Sequence, residues 1–420
     1  MPSIEYQILL AASDIEPGRE QQQKLLASIS HHFDQDRLVE MAVREGVAGL
    51  LYKNLKKIGV LGYLGHEQIE KLQSFYYSAV RENLRLLHDL KEILRKLRSD
   101  FKTSDQVQGQ GAGRSRKRSI HGYVSNYRRP ATQPLGLRCG FETTSNQSKT
   151  PVVLLQGIHL LQQIYQDIGL RPLTDIDLWV LPQHFAVVEK ALAKLGYQND
   201  PLYPKTFKRN STLVDVNTHI LWADRIKSRR FLITAGQEDI YRNCRFMDIE
   251  GETAQCLSRA DQIIYLSLHA FKHNLDRLIW LADVKNLLAQ WEASDWDALA
   301  NRSKELGIIH VVSYILFYLD RLFEWRLPPE ARTIYKDTKM GYLENHILQK
   351  RLQGKPLPAW GPLLILPSDK GLYRRVSFIL ENLFPRPQVL RQIFADTPAF
   401  HAWQLYLKRA RQLLIYTKNN

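Results

Sequence analysis

The chain has 420 residues, of which 44% are hydrophobic and 24% charged, with a formal net charge of +15. Such a composition is ordinary for a soluble globular protein, and the length allows two or three units that each bury a core. The longest nearly apolar run, Ile308 to Leu319, is too short to span a bilayer, and the N-terminus lacks a basic stretch followed by an apolar one, so neither a membrane span nor a signal peptide is expected.

Cys139, Cys244 and Cys256 form no CxxC pair and leave one thiol over in any disulfide scheme. That points to a reducing cytoplasm and excludes a thiolate metal site. Part of the positive charge is local. Between Lys102 and Thr150 nine basic residues face only Asp105 and Glu142, so this segment supplies +7. The remainder fits binding of a nucleotide polyphosphate or an acidic partner without demanding a nucleic-acid groove.

From about residue 20 to Phe101 the periodicity is helical. Leu38 to Tyr52 reads as two short amphipathic helices broken near Gly46. A long helix follows, its stripe running through Ile69, Leu72, Tyr76, Ala79, Leu87, Leu90, Leu94 and Leu97, with Asn83 the one polar exception. Residues 1–101 are therefore expected to form an N-terminal helical region. Residues 102–150 are rich in Gly, Ser, Gln and Arg and include Arg114-Ser-Arg-Lys-Arg118. With so few apolar residues the segment cannot offset its ordering entropy, and a disordered, dispensable basic insertion is expected.

Regular structure resumes at Pro151-Val-Val-Leu-Leu155, a short apolar run that reads as a buried strand. Gly157 then opens a helical pattern. A second strand, Asp175 to Val180, precedes a helix from about Gln183 to Leu195, and Thr206–Arg209 with Leu213–Asn217 reads as a strand pair turning at Asn210-Ser211. Residues 151–257 make the expected α/β core. From about residue 258 to the end the pattern is helical again, giving a C-terminal helical domain over 258–420.

The sharpest chemical signal is Asp175-Ile176-Asp177. On a strand, alternate side chains share a face, so both carboxylates project together while Ile176 enters the core. Two carboxylates so placed repel one another unless a hard divalent cation sits between them, and Mg²⁺ (or Mn²⁺) with phosphate oxygens suits that role. The glycine at the turn after the first strand would let backbone N–H groups approach a phosphate. Asp215 in Leu213-Val-Asp-Val-Asn217 is placed to be a third carboxylate.

The stretch Val153 to Val180 resembles the central motif of an uncharacterised nucleotidyltransferase family in the DNA polymerase beta-like superfamily. Leu38 to Tyr52 resembles that family's N-terminal helical motif. Val214 to Trp222 is similar to its third-aspartate strand, Leu266 to Asp283 to its characteristic helix, and Asn382-Leu-Phe-Pro-Arg-Pro387 to a feature near its C-terminus. The resemblance implies an α+β fold: a minimal nucleotidyltransferase core with a mixed sheet, flanked by helical regions. It implies metal ligation by Asp175, Asp177 and Asp215. Gln156 and Gly157 would form the phosphate turn, and Arg171 a phosphate or carboxylate contact. Three departures stand out. Gln156 replaces the usual lysine, Ile158 replaces the superfamily's serine, and Asn217-Thr218 replaces His-Trp. A charge lost beside a triphosphate removes about 1 to 3 kcal/mol.

His269, His273, Asp276, Trp280 and Asp283, spaced by four, three, four and three, would share one helix face. Ala270 stands where an HExxH zinc motif needs glutamate. The face is expected to pack on the core with His269 or Asp283 in buried hydrogen bonds. Shaping of an acceptor pocket by His269, His273 and Asp283 is the second reading. The expected function is Mg²⁺-assisted transfer of a nucleoside monophosphate from an NTP to an unidentified acceptor: small molecule, protein or nucleic acid. A non-catalytic nucleotide-binding or regulatory protein and a nucleic-acid-binding protein are the alternatives.

Overall fold

In the computed structural model, residues 2–111, 151–336, 340–358, 361–366, 371–395 and 401–418 are described. Their architecture is α+β, with a seven-stranded mixed sheet set among helices. No helix among them is long and apolar enough to cross a membrane. Most of the expected basic insertion, residues 112–150, lies outside the described residues. Its first part does not behave as expected, because residues 102–111 continue the preceding helix.

Four short helices open the chain: α1 (Ile4–Ala11), α2 (Arg19–Ile29), α3 (Gln35–Arg44) and α4 (Ala48–Lys57). Gly46 separates the last two at φ +76°, a left-handed conformation that glycine adopts without steric cost. The long helix α5 (His66–Gly111) follows. Its stripe is buried as the spacing predicts, with Leu72, Leu87, Leu90, Leu94 and Leu97 nearly sealed from solvent against the sheet and α4.

The strands are β1 (Val153–Leu154), β2 (Ile176–Trp179), β3 (Gln198–Asn199), β4 (Thr206–Arg209), β5 (Thr212–Asn217), β6 (Arg245–Ile249) and β7 (Glu252–Cys256). They lie in the order β3-β4-β5-β2-β1-β7-β6. Two pairings fix the centre: β2 runs parallel to β5 and antiparallel to β1. Ile176, Leu178, Val214 and Val216 point into the core, so the residues between them must face the other way. Between the strands lie α6 (Gln156–Gln163), α7 (Phe185–Lys194) and α8 (Gln237–Arg242).

Beyond β7 come α9 (Arg259–Lys272), α10 (Leu278–Leu288), α11 (Ala293–Glu305) and α12 (Ile309–Leu322). These are followed by α13 (Pro329–Lys336), α14 (Tyr342–Leu352), α15 (Leu372–Leu383), α16 (Pro387–Ile393) and α17 (Ala402–Lys418). The single helix expected over Leu266–Asp283 is in fact two. The chain turns after Lys272, with Asn274 and Leu275 at positive φ and the Leu275 N–H capping Ala270 O at 2.8 Å. Burial of Leu275 anchors a conformation that a leucine would otherwise avoid.

Candidate active site

Asp177 and Asp215 are register partners across the parallel β2–β5 pair. Asp175 lies two residues earlier on the same face, immediately before β2. Each of the three carboxylates offers an oxygen, and these oxygens lie within 4.8 Å of one another. Strand period and strand register bring the three together, so the cluster follows from backbone geometry.

Two of the three are oriented by neighbours. Thr174 Oγ1 donates to Asp175 Oδ1 at 3.1 Å, and Thr206 Oγ1, on β4, donates to Asp215 Oδ1. Asp177 receives no side-chain hydrogen bond among the described residues. Burial, together with the charges of Asp175 and Asp215, holds its carboxyl well above the usual carboxylate range. Burial and the charge of Asp215 also raise Asp175. Three mutually repelling carboxylates with an unsatisfied member at the centre are suited to an oxygen-preferring divalent cation.

The loop that delivers Asp175 is held from α5. Asn83, the polar exception in the helical stripe, donates to the carbonyls of Ile168 (2.6 Å) and Arg171 (2.8 Å) and accepts from Leu173 N (3.1 Å). Tyr76 adds a bond from its hydroxyl to Asp167 at 2.8 Å. The position that broke the apolar pattern thus supplies the clamp that the approach to β2 needs.

The turn expected to meet phosphate joins β1 to α6. The helix begins at Gln156, whose φ is +51°, and the Gln156 side chain donates to the Tyr265 hydroxyl on α9 at 3.0 Å. Gly157 packs so closely over Arg171 that a Cβ there would lie 2.4 Å from Nη1. Arg171 makes its contact with a carboxylate: Nε and Nη2 grip Asp283, and the Tyr165 hydroxyl donates to the same group.

Asp283 is consequently 0% exposed and sealed beneath the site. It cannot line an open acceptor pocket, because its oxygens are spent on Arg171 and Tyr165. His269 and His273 sit at the end of α9, 4.7 Å apart between ring centres, with Trp280 5.2 Å from each. Burial holds both imidazoles well below the usual histidine range, so they are neutral at pH 7.

A group of cations went unread in the sequence. Lys272, in the last turn of α9, lies over the Trp222 ring at 4.2 Å from its centroid. Burial and the charge of Arg229 pull its ammonium down to about 7, while Asp177 and Asp215 pull it up. Arg225 and Arg229 come from the segment between β5 and α8. The one available signal was the run Arg225 to Arg230, basic and bordered by tryptophan.

A mixed sheet presenting three convergent aspartates beside a strand-to-helix turn is the arrangement of a nucleotidyltransferase. The chain belongs to a family described as an uncharacterised nucleotidyltransferase, whose profile matches residues 31–101 and 143–324, more than half of the sequence. The match breaks across residues 102–142 and ends before the Asn382–Pro387 feature. No curated protein and no solved structure matches the chain.

Proposed function

We propose that the protein transfers a nucleoside monophosphate from an NTP to an acceptor, with Asp175, Asp177 and Asp215 as the metal-binding catalytic carboxylates. The observation that carries this reading is the convergence of their oxygens within 4.8 Å on one face of adjacent strands. Family membership supports nucleotidyl transfer in general. Mg²⁺ or Mn²⁺ bound there would neutralise the triphosphate and favour ionisation of the attacking acceptor oxygen.

The chain's own residues do the positioning. Thr174 and Thr206 aim the outer carboxylates, while Asn83 fixes the loop before β2. The acceptor oxygen bonds to the α-phosphorus as the bond to the bridging oxygen breaks and pyrophosphate leaves. The acceptor's proton passes to a carboxylate of the triad. Neutral His269 and His273, beside Trp222 and Trp280, offer an aromatic wall for a base or an acceptor.

Cell extract incubated with each α-labelled NTP and Mg²⁺ tests this reading. Label transferred to a discrete product by the wild type, and by less than about one part in a hundred with Asp177→Asn, is expected from loss of a metal ligand. Transfer that Asp177→Asn sustains at the wild-type rate would refute it.

A further inference from the structure

Among the described residues, the side chains at the strand-to-helix turn offer no free cation for a triphosphate. Gln156 is neutral and bonded to Tyr265, and the guanidinium packed against Gly157 is that of Arg171, which is committed to Asp283. Positive charge is gathered instead at Lys272, Arg225 and Arg229, within the field of the carboxylates. Lys272, seated over the Trp222 ring, feels the charges of Asp177 and Asp215 as well as those of Arg229 and Arg225. Arg225 also lies within the field of Asp215.

Among the described residues, none of these three cations forms an ion pair within 4 Å. Among the described residues, neither Lys272 nor Arg225 makes a side-chain hydrogen bond or an ion pair within 4 Å. Arg229 is 8% exposed; among the described residues its buried Nε has no hydrogen-bond partner, and Nη2 donates to the amide oxygen of Asn382 at 3.3 Å. Glu381 acts on Arg229 through its charge, and its Oε2 accepts from Ser228 N at 2.6 Å. Arg225 and Arg229 repel each other, as do Arg229 and Lys272. Burying the Arg229 guanidinium with an unpartnered Nε and like charges as neighbours is costly, and a fold keeps such an arrangement where an anion discharges it.

The arrangement is also actively held. Arg386 Nη2 donates to the carbonyls of Asp224 and Arg225, each at 3.1 Å, and Asn382 and Glu381 brace residues 228 and 229. The Asn382–Pro387 segment, more than 150 residues away in sequence, thereby fixes the cationic loop beside the carboxylates.

We propose that Lys272, Arg225 and Arg229 form the cradle for the β- and γ-phosphates of the nucleotide. The triphosphate is held from the α9 side of the site, and the turn at Gln156–Gly157 does not hold it. This inference rests on the nucleotidyl-transfer reading. It places the base towards Trp222 and the neutral histidines, and the α-phosphate over the three aspartates.

The test is calorimetric titration of the full chain with a non-hydrolysable NTP and with the matching NMP, both with Mg²⁺. Lys272→Met and Arg225→Ala should each weaken NTP binding about tenfold, the loss of one charge-assisted phosphate contact, and NMP binding less than about twofold. Lys272→Arg should retain most NTP affinity. Arg225 is exposed, so its variant folds even if Lys272→Met does not. Equal weakening of NTP and NMP, or unchanged NTP binding in both variants, would overturn the cradle. A cradle confirmed this way in a protein that transfers no nucleotide would refute the function and leave the cradle standing. Transfer that needs Asp177, with NTP discrimination indifferent to Lys272 and Arg225, would do the reverse.

Discussion

Arg171 and Asp283 form a buried ion pair, with Nη2 2.9 Å from Oδ2 and Nε 3.1 Å from both carboxylate oxygens. It ties α10 to the loop that carries Asp175. Both groups are almost fully sealed, so removing one partner strands a charge. Asp283→Ala is expected to destabilise the protein by about 3–5 kcal/mol in urea unfolding, whereas Arg171→Met combined with Asp283→Leu should cost clearly less. A single variant no worse than the pair would show that the interaction is exposed in solution.

Asn83 makes three hydrogen bonds to the loop before β2 from the middle of an apolar helix face. Asn83→Ala leaves buried backbone groups unpaired and should cost about 2–4 kcal/mol. Mn²⁺ affinity should also fall, since Asp175 is delivered by that loop. Unchanged Mn²⁺ binding in a destabilised Asn83→Ala protein would confine the residue to a structural role.

The crowding of the three carboxylates is expected to lower the stability of the metal-free protein in a pH-dependent way. The folded-state value of Asp177 is raised by burial and by Asp175 and Asp215. Its contribution to stability is therefore full below the ordinary value of 3.8 and is lost as pH rises through the raised value. Without metal at pH 7, Asp177→Asn should melt about 2–4 °C above the wild type, the shift that ~1 kcal/mol produces in a domain of a few hundred residues. The advantage should vanish near pH 3.5, roughly where an unperturbed aspartate is protonated in both states. An advantage that persists there would point to a cause other than charge repulsion.

Gln156 opens α6 within hydrogen-bond reach of Tyr265, whose hydroxyl lies in the field of Asp177. A lysine at that position would bring an ammonium to the turn side of the site. Gln156→Lys should restore part of the NTP affinity lost in Lys272→Met, by roughly three- to tenfold. No rescue would place the triphosphate out of reach of the turn.

Much of the site could be read from local pattern. Asp175-Ile-Asp177 and Val214-Asp-Val216 each announce a strand with carboxylates on one face, because strand period alone decides which side chains share a face. The register that sets Asp177 opposite Asp215 also depends on which strands pair. The β6–β7 hairpin escaped notice because Arg245, Phe246 and Asp248 are all exposed, leaving no alternation to read. The break between α9 and α10 has no glycine or proline to mark it, and tertiary burial of Leu275 imposes it. Lys272 and Arg229 come together only through folding, and Arg171 makes the carboxylate contact of the two expected of it because Asp283 arrives from α10. Charge complementarity between distant segments has no local signature.

The central claim is that Asp175, Asp177 and Asp215 hold a divalent cation on a nucleoside triphosphate. Paramagnetic titration of Mn²⁺ with and without a non-hydrolysable NTP tests it most directly. Saturable Mn²⁺ binding that NTP tightens by about tenfold or more, and that Asp177→Asn and Asp215→Asn abolish, is the predicted result. Mn²⁺ affinity that ignores both substitutions, or that NTP leaves unchanged in the wild type, would contradict the account.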